Sequence, residues 1–469
     1  MERENAWKSY TASDLEELEQ LAAEYITFIS ENKTERECTS AAIAAAEAAG
    51  YLPLDMAIEK GIALKPGDKV WAHTHGKALM LVQLGEKPLE EGLNILGAHI
   101  DSPRLDLKQN PLYEADGFTL LDTHYYGGIK NYQWVTLPLA LHGVVAKTDG
   151  TVVNVAIGED AADPVFCVTD LLPHLGYAQM DKKGNKIVEG EDLDLLIGNR
   201  PLVVDEADES DEAKEAKKNP VKALTLQLLK EKYGIEEEDF LSAELEVVPA
   251  GAARDLGFDR SMVLGYGQDD RVCAYTSLAA QLELDAVERT AVCILVDKEE
   301  IGSVGATGMA SCFFENTMAE ILQLAGETGP LALRRCLANS RMLSSDVSAG
   351  FDPTFASVYE KKNAAYLGRG LVFNKYTGSR GKSGSNDCSA EYIALVRKIM
   401  DDAGVNFQTA ELGKVDAGGG GTIAYIPAKY GMDVIDSGVA VLSMHAPWEA
   451  TSKADIYEAY KGYKAFQRS

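Results

Sequence analysis

The hydrophobic residues near the amino terminus are spaced as in a helix. Leu15, Leu18 and Ala22 recur at intervals of three and four residues, which gives the segment one apolar face. An alanine-rich run over residues 40–50 predicts a second helix, and Gly50 is the residue expected to end it. Short β-type runs replace this pattern between residues 69 and 96. The apolar run 93–98 predicts a buried strand that ends at His99.

The middle of the chain has a different texture. Residues 136–145 and 152–157 are β-type segments. A stretch of mixed charge follows at 205–218, and an amphipathic segment at 224–229. The mixed signs of the charged stretch favour a solvated loop or helix face over a binding tail. We therefore expect residues 105–247 to form an inserted, β-rich domain. The remaining segments, 1–104 and 248–469, would form the principal domain.

Strands and helices alternate after the insertion. Helices are predicted at 270–284, 315–324 and 391–403, and buried strands at 291–296 and 439–444. Alternation of this kind is typical of an α/β protein with a layered sheet. The predicted fold class is therefore α/β.

Composition and charge exclude several classes of protein. The 469 residues include 73 acidic and 45 basic side chains, a net charge of −28. A surface this acidic repels phosphate backbones and anionic lipid headgroups, so binding to nucleic acid or to a membrane is not expected. No basic segment followed by an apolar core begins the chain, so no export signal is expected. Seven cysteines without a CxxC pair indicate free thiols and a cytoplasmic protein.

Potential metal ligands follow three of the predicted buried strands. His99 follows one strand, Glu299 and Glu300 follow the second, and His445 follows the third. In open α/β sheets, ligands bind beyond the carboxyl ends of the strands, so residues distant in sequence can converge there. Taken singly, each histidine is better explained as a structural residue and the glutamates as solvated side chains. Their shared position after strands is what indicates a metal site.

Several carboxylates could complete this site. Asp101 lies two residues after His99, where its carboxylate could accept the second ring N–H or could simply open a turn. In GYGQDDRV, Asp269 or Asp270 could bridge two metal ions, although both could equally be charges at a helix amino terminus. Asp346, in SSDVSAG, is either a ligand or a turn residue.

The candidate set is chemically coherent for two divalent ions. Three carboxylates, from Asp269, Glu300 and Asp346, leave one positive charge that a bridging hydroxide would neutralise. Paired ions acidify water and polarise a carbonyl, and Glu299 would remain as the proton acceptor. Nitrogen and oxygen ligands without cysteine suit zinc first, with cobalt or manganese as alternatives.

These motifs together resemble the aspartyl aminopeptidase family, dinuclear-metal exopeptidases that assemble into tetrahedral shells. The matching segments, in family order, are GAHIDSPRLDLK, GQDDRV, DKEEIGS, SSDVSAG and LSMHAPWE. The resemblance covers nearly the whole chain. It implies a three-layer α/β/α metallopeptidase domain with an inserted β-rich dimerisation domain, and a homododecamer.

The resemblance also implies residue roles. One ion would be held by His99, Asp269 and Asp346, and the other by Asp269, Glu300 and His445. Asp101 would orient His99, and Glu299 would be the general base. TDLLPHL is similar to a family segment whose histidine stabilises the oxyanion in a neighbouring subunit, which here would be His174; a histidine on a helix or turn surface is the alternative.

The sequence departs from the family pattern where substrate specificity is decided. Aspartyl-specific members carry histidines shortly after the Asp346 position, where this chain has Ala349 and Asp352. Arg380 and Lys382, in a loop unlike the family's usual form, could offer a cation to an acidic substrate or be ordinary surface charges. An acidic and a neutral amino-terminal residue therefore both stay open.

The sequence thus predicts a metallo-aminopeptidase that acts on peptides with a free amino terminus. Glu299 would take a proton from the bridging water as it attacks and then deliver it to the leaving amine. The alternatives are a related dinuclear-metal deacylase or carboxypeptidase, and a non-catalytic shell-forming scaffold.

Overall fold

The computed structural model describes residues 4–205, 207–378 and 381–469. They divide into two compact units. The first comprises the described residues of Met1–Ser102, Ala253–Met444 and Trp448–Ser469, and the second comprises those of Pro103–Ala252 and His445–Pro447.

Helices occur in both units. The α-helices of the described residues are α1 (Ala12–Glu31), α2 (Glu35–Ala48), α3 (Leu54–Lys60), α4 (Tyr177–Met180), α5 (Asp211–Lys218), α6 (Pro220–Tyr233), α7 (Gln268–Leu282), α8 (Phe313–Leu324), α9 (Ala332–Ala338), α10 (Ala390–Asp402), α11 (Tyr425–Ala428) and α12 (Lys453–Gln467). No helix in the described ranges combines the length and the apolar character needed to cross a membrane.

Strands likewise occur in both units. Those of the described residues are β1 (Leu52–Pro53), β2 (Lys69–Thr74), β3 (Ala78–Gln83), β4 (Asn94–His99), β5 (Arg104–Ala115), β6 (Phe118–Tyr126), β7 (Leu139–Ala146), β8 (Val152–Ile157), β9 (Leu195–Gly198), β10 (Ala243–Pro249), β11 (Arg254–Leu256), β12 (Met262–Gly265), β13 (Ala291–Val296), β14 (Arg341–Ser345), β15 (Ser348–Ala349), β16 (Leu371–Asn374), β17 (Phe407–Thr409), β18 (Asp433–Gly438), β19 (Ala440–Leu442) and β20 (Glu449–Ser452).

The first unit is built on a mixed sheet with the strand order β1-β2-β3-β13-β4-β14-β18-β16-β17. At its centre β13, β4, β14 and β18 run parallel to their neighbours in this series. Every residue of β4 and of β13 is buried, as expected for strands covered on both faces. The carboxyl ends of these parallel strands therefore lie at one edge of the sheet.

Alternation along the strands gives this sheet two apolar faces. On β13, Cys293 and Leu295 join one core cluster, while Val292 and Ile294 join another. The first cluster includes residues of α1, α2, α7, α10 and α12, and the second includes residues of α8 and α9. Helices thus cover both faces, and the predicted three-layer α/β/α architecture is confirmed.

The helices at the start of the chain are capped by local side chains. Thr11 accepts from the backbone N–H of Asp14, whose carboxylate in turn accepts from the N–H of Thr11. Thr34 and Glu37 form the same reciprocal arrangement at α2. A capping box satisfies amide groups that a helix leaves unpaired at its amino terminus. It therefore fixes where both helices begin.

A smaller sheet completes the first unit, with the order β11-β12-β20-β19-β15. It corrects the strand predicted at 439–444, because the observed strand β19 is only Ala440–Leu442 and does not belong to the main sheet. His445 therefore follows a different sheet from His99. The local pattern of apolar residues identifies a buried strand, but it does not specify which strands will pair with it.

The second unit is β-rich. Its sheet has the order β8-β7-β10-β5-β6-β9 and all neighbouring strands are antiparallel. Helix α6 lies against β5, β6 and β9. Its first backbone N–H groups, from Val221 and Lys222, both donate to Glu114 at 2.9 Å. The carboxylate of Glu114 thus lies at the amino terminus of the helix, where the helix dipole favours a negative charge.

Candidate metal centre

The sheet topology brings the first group of candidate ligands together in the first unit. His99 ends β4, Glu299 and Glu300 follow its parallel neighbour β13, and Asp346 follows the parallel neighbour on the other side, β14. Asp269 reaches the same place from the first turn of α7, where its backbone is not helical. Residues far apart in sequence thus meet beyond the carboxyl ends of adjacent strands.

Carboxylates surround the ring of His99. Its Nε2 atom lies 3.2 Å from Asp269 Oδ1, and 4.0 Å from both Glu299 Oε2 and Asp346 Oδ1. Two sets of potential ligand atoms, each within 4.8 Å of one another, are His99–Asp269–Asp346 and His99–Glu299–Glu300. His99 is 1% exposed. The ring at the centre of the cluster is therefore buried, whereas the side chain of Glu299 keeps 16% of its surface exposed.

Asp101 contacts both sides of this cluster. His99 Nδ1 lies 3.0 Å from the Asp101 carbonyl oxygen and 3.3 Å from its carboxylate. The two carboxylate oxygens of Asp101 also accept the backbone N–H groups of Glu299 and Glu300, each at 3.2 Å. Donation from Nδ1 leaves Nε2 as the ring atom with a lone pair for a metal. One buried carboxylate thus contacts a histidine and the loop that carries two glutamates.

The electrostatics of the cluster favour a cation. Burial and then the carboxylate of Asp270 raise the pKa of Asp346 well above its usual range. Burial disfavours a charged His99, yet the neighbouring Asp101 and Asp269 outweigh it and raise the pKa of the ring. Buried like charges at these distances repel, and a divalent cation offsets that repulsion. An imidazole among carboxylates is also a donor set that zinc accepts, so the residues fit the metal.

His445 lies in the second unit. Its Nδ1 atom is 2.9 Å from the carbonyl oxygen of Gly128. Donation from Nδ1 leaves the lone pair on Nε2. Its backbone is left-handed, with φ 65°. Along the chain it directly follows Met444, a residue of the first unit.

The remaining predicted residues lie elsewhere. His174 is an exposed residue of a turn in the second unit, just before α4. Lys382 Nζ lies 3.1 Å from Asp387 and 3.8 Å from the centre of the Tyr376 ring, and it is not in the ligand sets around His99. Arg380 lies outside the described residues.

The sequence analysis missed the residues that hold Asp269 in place. The backbone N–H of Asp269 donates to Glu449 at 3.1 Å, and its carbonyl oxygen accepts from the Ser102 hydroxyl at 2.7 Å. Glu449 is 1% exposed. A buried glutamate four residues after a candidate ligand, in LSMHAPWE, was an available signal because buried carboxylates are rare without partners. An α/β domain with this cluster beyond its parallel strands is typical of a metal-dependent enzyme.

Comparison with known proteins identifies the family. The family model described as aminopeptidase I zinc metalloprotease (M18) matches residues 28–467. A probable M18 family aminopeptidase 1 of Clostridium acetobutylicum is 60% identical, over 99% of this chain and 98% of that protein. The chain therefore belongs to the M18 family of zinc aminopeptidases, hydrolases that act on peptides.

Solved structures agree. The crystal structure of an M18 aminopeptidase from Thermotoga maritima has a TM-score of 0.92 at 44% identity, covering 100% of this chain and 99% of that one. That of aminopeptidase I from Clostridium acetobutylicum has a TM-score of 0.91 at 56% identity and covers 100% of both chains. The predicted family and aminopeptidase activity are confirmed, and these relatives do not favour the deacylase, carboxypeptidase or scaffold alternatives.

Proposed function

We propose that this aminopeptidase uses two divalent metal ions, zinc by preference, and that Glu299 is its general base. One ion would be held by His99, Asp269 and Asp346. The other would be held by Asp269, Glu300 and His445. The observation that carries the proposal is the convergence of four acidic side chains on the buried ring of His99, since such a cluster needs cations to balance it.

The ions would acidify water and polarise the carbonyl of the substrate. The proposed role of Glu299 is supported by its place in the cluster, with its Oε2 atom 4.0 Å from His99 Nε2, and by the 16% of its side-chain surface that stays exposed. It would accept the proton of the attacking water and deliver it to the leaving amine. Asp101 would keep the proton of His99 on Nδ1. It would also fix the orientation of the loop that carries Glu299 and Glu300.

His174 would act in a neighbouring subunit. Its exposed turn is flanked by exposed apolar side chains, including Leu172 at 50%, Leu175 at 69% and Tyr177 at 71%. Contiguous apolar exposure of this kind marks an interaction surface. The predicted inserted domain, residues 105–247, would therefore be the dimerisation domain of a homododecamer. His174 would stabilise the negative charge that develops on the carbonyl oxygen of the neighbour's substrate.

Arg380 and Lys382 would supply a cation to an acidic amino-terminal residue. Lys382 would have to exchange its ion pair with Asp387 for the substrate, which would weaken any preference for acidic over neutral residues. The seven cysteines are free thiols, as expected for the cytoplasm that we propose as the location.

Initial rates on aminoacyl chromogenic substrates test this function. The panel comprises Asp, Glu, Leu, Met and Lys derivatives, assayed with metal-depleted protein and with protein reloaded with zinc or cobalt. Turnover should require metal, and elemental analysis should find two ions per chain in the active form. The ranking of acidic against neutral substrates, in the native protein and after Lys382→Ala, decides the role of Lys382. One ion per chain at full activity would contradict the dinuclear site.

A further inference from the structure

The loop that carries Glu299 and Glu300 begins with an unusual backbone conformation. Lys298, the second of the two residues between β13 and these glutamates, is left-handed with φ 68°. A residue with a Cβ atom disfavours this region, so the surrounding structure must hold it there. The conformation matters because it sets the direction in which the next two residues leave the strand.

Two buried carboxylates hold three consecutive amide groups of this loop. The N–H of Lys298 donates to Asp297 Oδ1 at 2.7 Å. The N–H groups of Glu299 and Glu300 donate to the two carboxylate oxygens of Asp101 at 3.2 Å. Asp101 also contacts His99, but Asp297 belongs to neither ligand set around that histidine. The hydrogen bond that Asp297 accepts is the shortest of the three, and its donor is the residue with the left-handed backbone.

Asp297 is itself rigidly placed. It is 1% exposed, and its Oδ2 atom accepts from the Thr307 hydroxyl at 2.6 Å. Its backbone N–H donates to the Thr307 carbonyl oxygen at 3.2 Å. The ammonium group of Lys298 lies 3.4 Å from the same carboxylate. Asp297 is therefore held by Thr307, at the far end of the loop, as well as by its contacts with Lys298.

We propose that Asp297 is a positioning residue for the aminopeptidase reaction. It holds Lys298 in the left-handed conformation and so directs Glu299 toward the substrate and Glu300 toward its metal site. This inference rests on the proposed role of Glu299 as the base. Loss of a positioning residue lowers the rate of the chemical step more than it lowers substrate affinity. This difference between kcat and KM separates a positioning role from a role in fold stability alone.

Three variants test the proposal in the full-length enzyme. In Asp297→Ala, kcat should fall about 10- to 100-fold while KM stays within about threefold, since a small displacement of a catalytic group has that cost. Asp297→Asn should keep kcat within about threefold, because its Oδ1 still accepts from Lys298 and the Thr307 hydroxyl can reverse its direction. Asp297→Ala combined with Lys298→Gly should recover part of the lost kcat, because glycine adopts φ 68° without a steric cost.

A second measurement does not depend on activity. Amide hydrogen exchange of the segment 298–302, measured on metal-free protein, should be faster in Asp297→Ala than in the native enzyme or Asp297→Asn. If Asp297→Ala fails to fold, Lys298→Val and Lys298→Asn replace it. Valine should lower kcat at unchanged KM because it disfavours the left-handed region, whereas asparagine tolerates that region and should retain the rate.

The proposal is overturned if Asp297→Ala keeps kcat within twofold and exchanges normally, or if Lys298→Gly restores nothing and Asp297→Asn is as impaired as Asp297→Ala. Equal rates for Lys298→Val and Lys298→Asn would overturn it in the same way. Glu299→Gln is measured in parallel. An active Glu299→Gln enzyme refutes the base itself, whereas an inactive Glu299→Gln beside a normal Asp297→Ala refutes only the positioning role.

Discussion

The two units treat buried charge in different ways. In the first unit, carboxylates from separate strands converge on one histidine, His99, and a cation is needed to balance them. In the second unit, the buried carboxylate of Glu246 faces a buried cation instead: Arg104 Nε lies 3.1 Å from Glu246, and 2.7 Å from the partly exposed Asp106. The comparison teaches that burial alone does not identify a reactive site. The convergence of several carboxylates on one imidazole is the more specific sign.

Strand direction explains part of this difference. Parallel strands end at the same edge, so the residues that follow them gather in one place. Antiparallel neighbours end at opposite edges, so charged residues on them meet across the sheet instead. Glu246 of β10, for example, is in register with His142 of β7 on one side and with Asp106 of β5 on the other. Chemistry is therefore expected in the first unit. The second unit instead exposes apolar residues around His174, which suits association.

The largest expected effect comes from removing a proposed metal ligand in the first unit. His99→Ala and Asp346→Ala should each lower zinc content and reduce turnover by at least about a thousandfold, because polarisation of the carbonyl and acidification of water are lost together. Elemental analysis and initial rates measure both. His124→Ala, at an exposed histidine of the second unit, is the matched control and should change neither. Full zinc occupancy in both ligand variants would show that the metal lies elsewhere.

The second prediction concerns His174. His174→Ala should lower kcat about 100- to 1000-fold, the usual cost of losing one group that stabilises an oxyanion. The free energy of unfolding should change by less than about 0.5 kcal/mol because the residue is exposed. Zinc content should be unchanged. A stable, zinc-loaded and inactive variant would sharpen the contrast between the unit that holds the His99 cluster and the unit that holds His174.

Complementation shows in which subunit His174 acts. His174→Ala and Glu299→Gln chains, each inactive alone, are co-expressed with different tags and mixed oligomers are purified. If each site takes His174 from a neighbour, about a quarter of the sites in random pairs will combine an intact Glu299 with an intact His174. Purified mixed oligomers with no recovered activity would contradict action across subunits.

Local patterns predicted the elements more reliably than their partners. The strand predicted at 291–296 is β13 without change, and the helix predicted at 270–284 is α7, shifted by two residues. The strand is a continuous apolar run of strand length, and a glycine-rich turn precedes the helix. The strand predicted at 439–444 is shorter and lies in the smaller sheet. The pairing of strands depends on contacts distant in sequence, which a local window does not contain.

The same limit applies to the candidate site. His99, Asp269, Glu299, Glu300 and Asp346 were named from their positions after strands and from the family resemblance. The contacts made by Asp297 and Glu449 were not predicted, because each depends on a backbone N–H group whose direction only the folded loop determines. Residues that bind through side-chain chemistry are visible in a sequence, and residues that position a backbone are much less so.

The smallest expected effect concerns a buried carboxylate of the first unit that is not among the candidate ligands. Asp455, on α12, accepts from the N–H groups of Gly368 and Gly370, and burial raises its pKa to about 8. The folded state therefore keeps this proton to higher pH than the unfolded state, so the stability contributed by the group is lost as pH rises through the folded pKa. Between pH 6 and pH 8, the free energy of unfolding should fall by about 2 kcal/mol more in the native protein than in Asp455→Asn. Urea unfolding at each pH measures this difference, and Asp401→Asn, at an exposed residue of α10, should behave like the native protein. Identical pH dependence in Asp455→Asn and the native protein would show that Asp455 is ionised throughout this range, which would make its two backbone hydrogen bonds strong enough to outweigh burial.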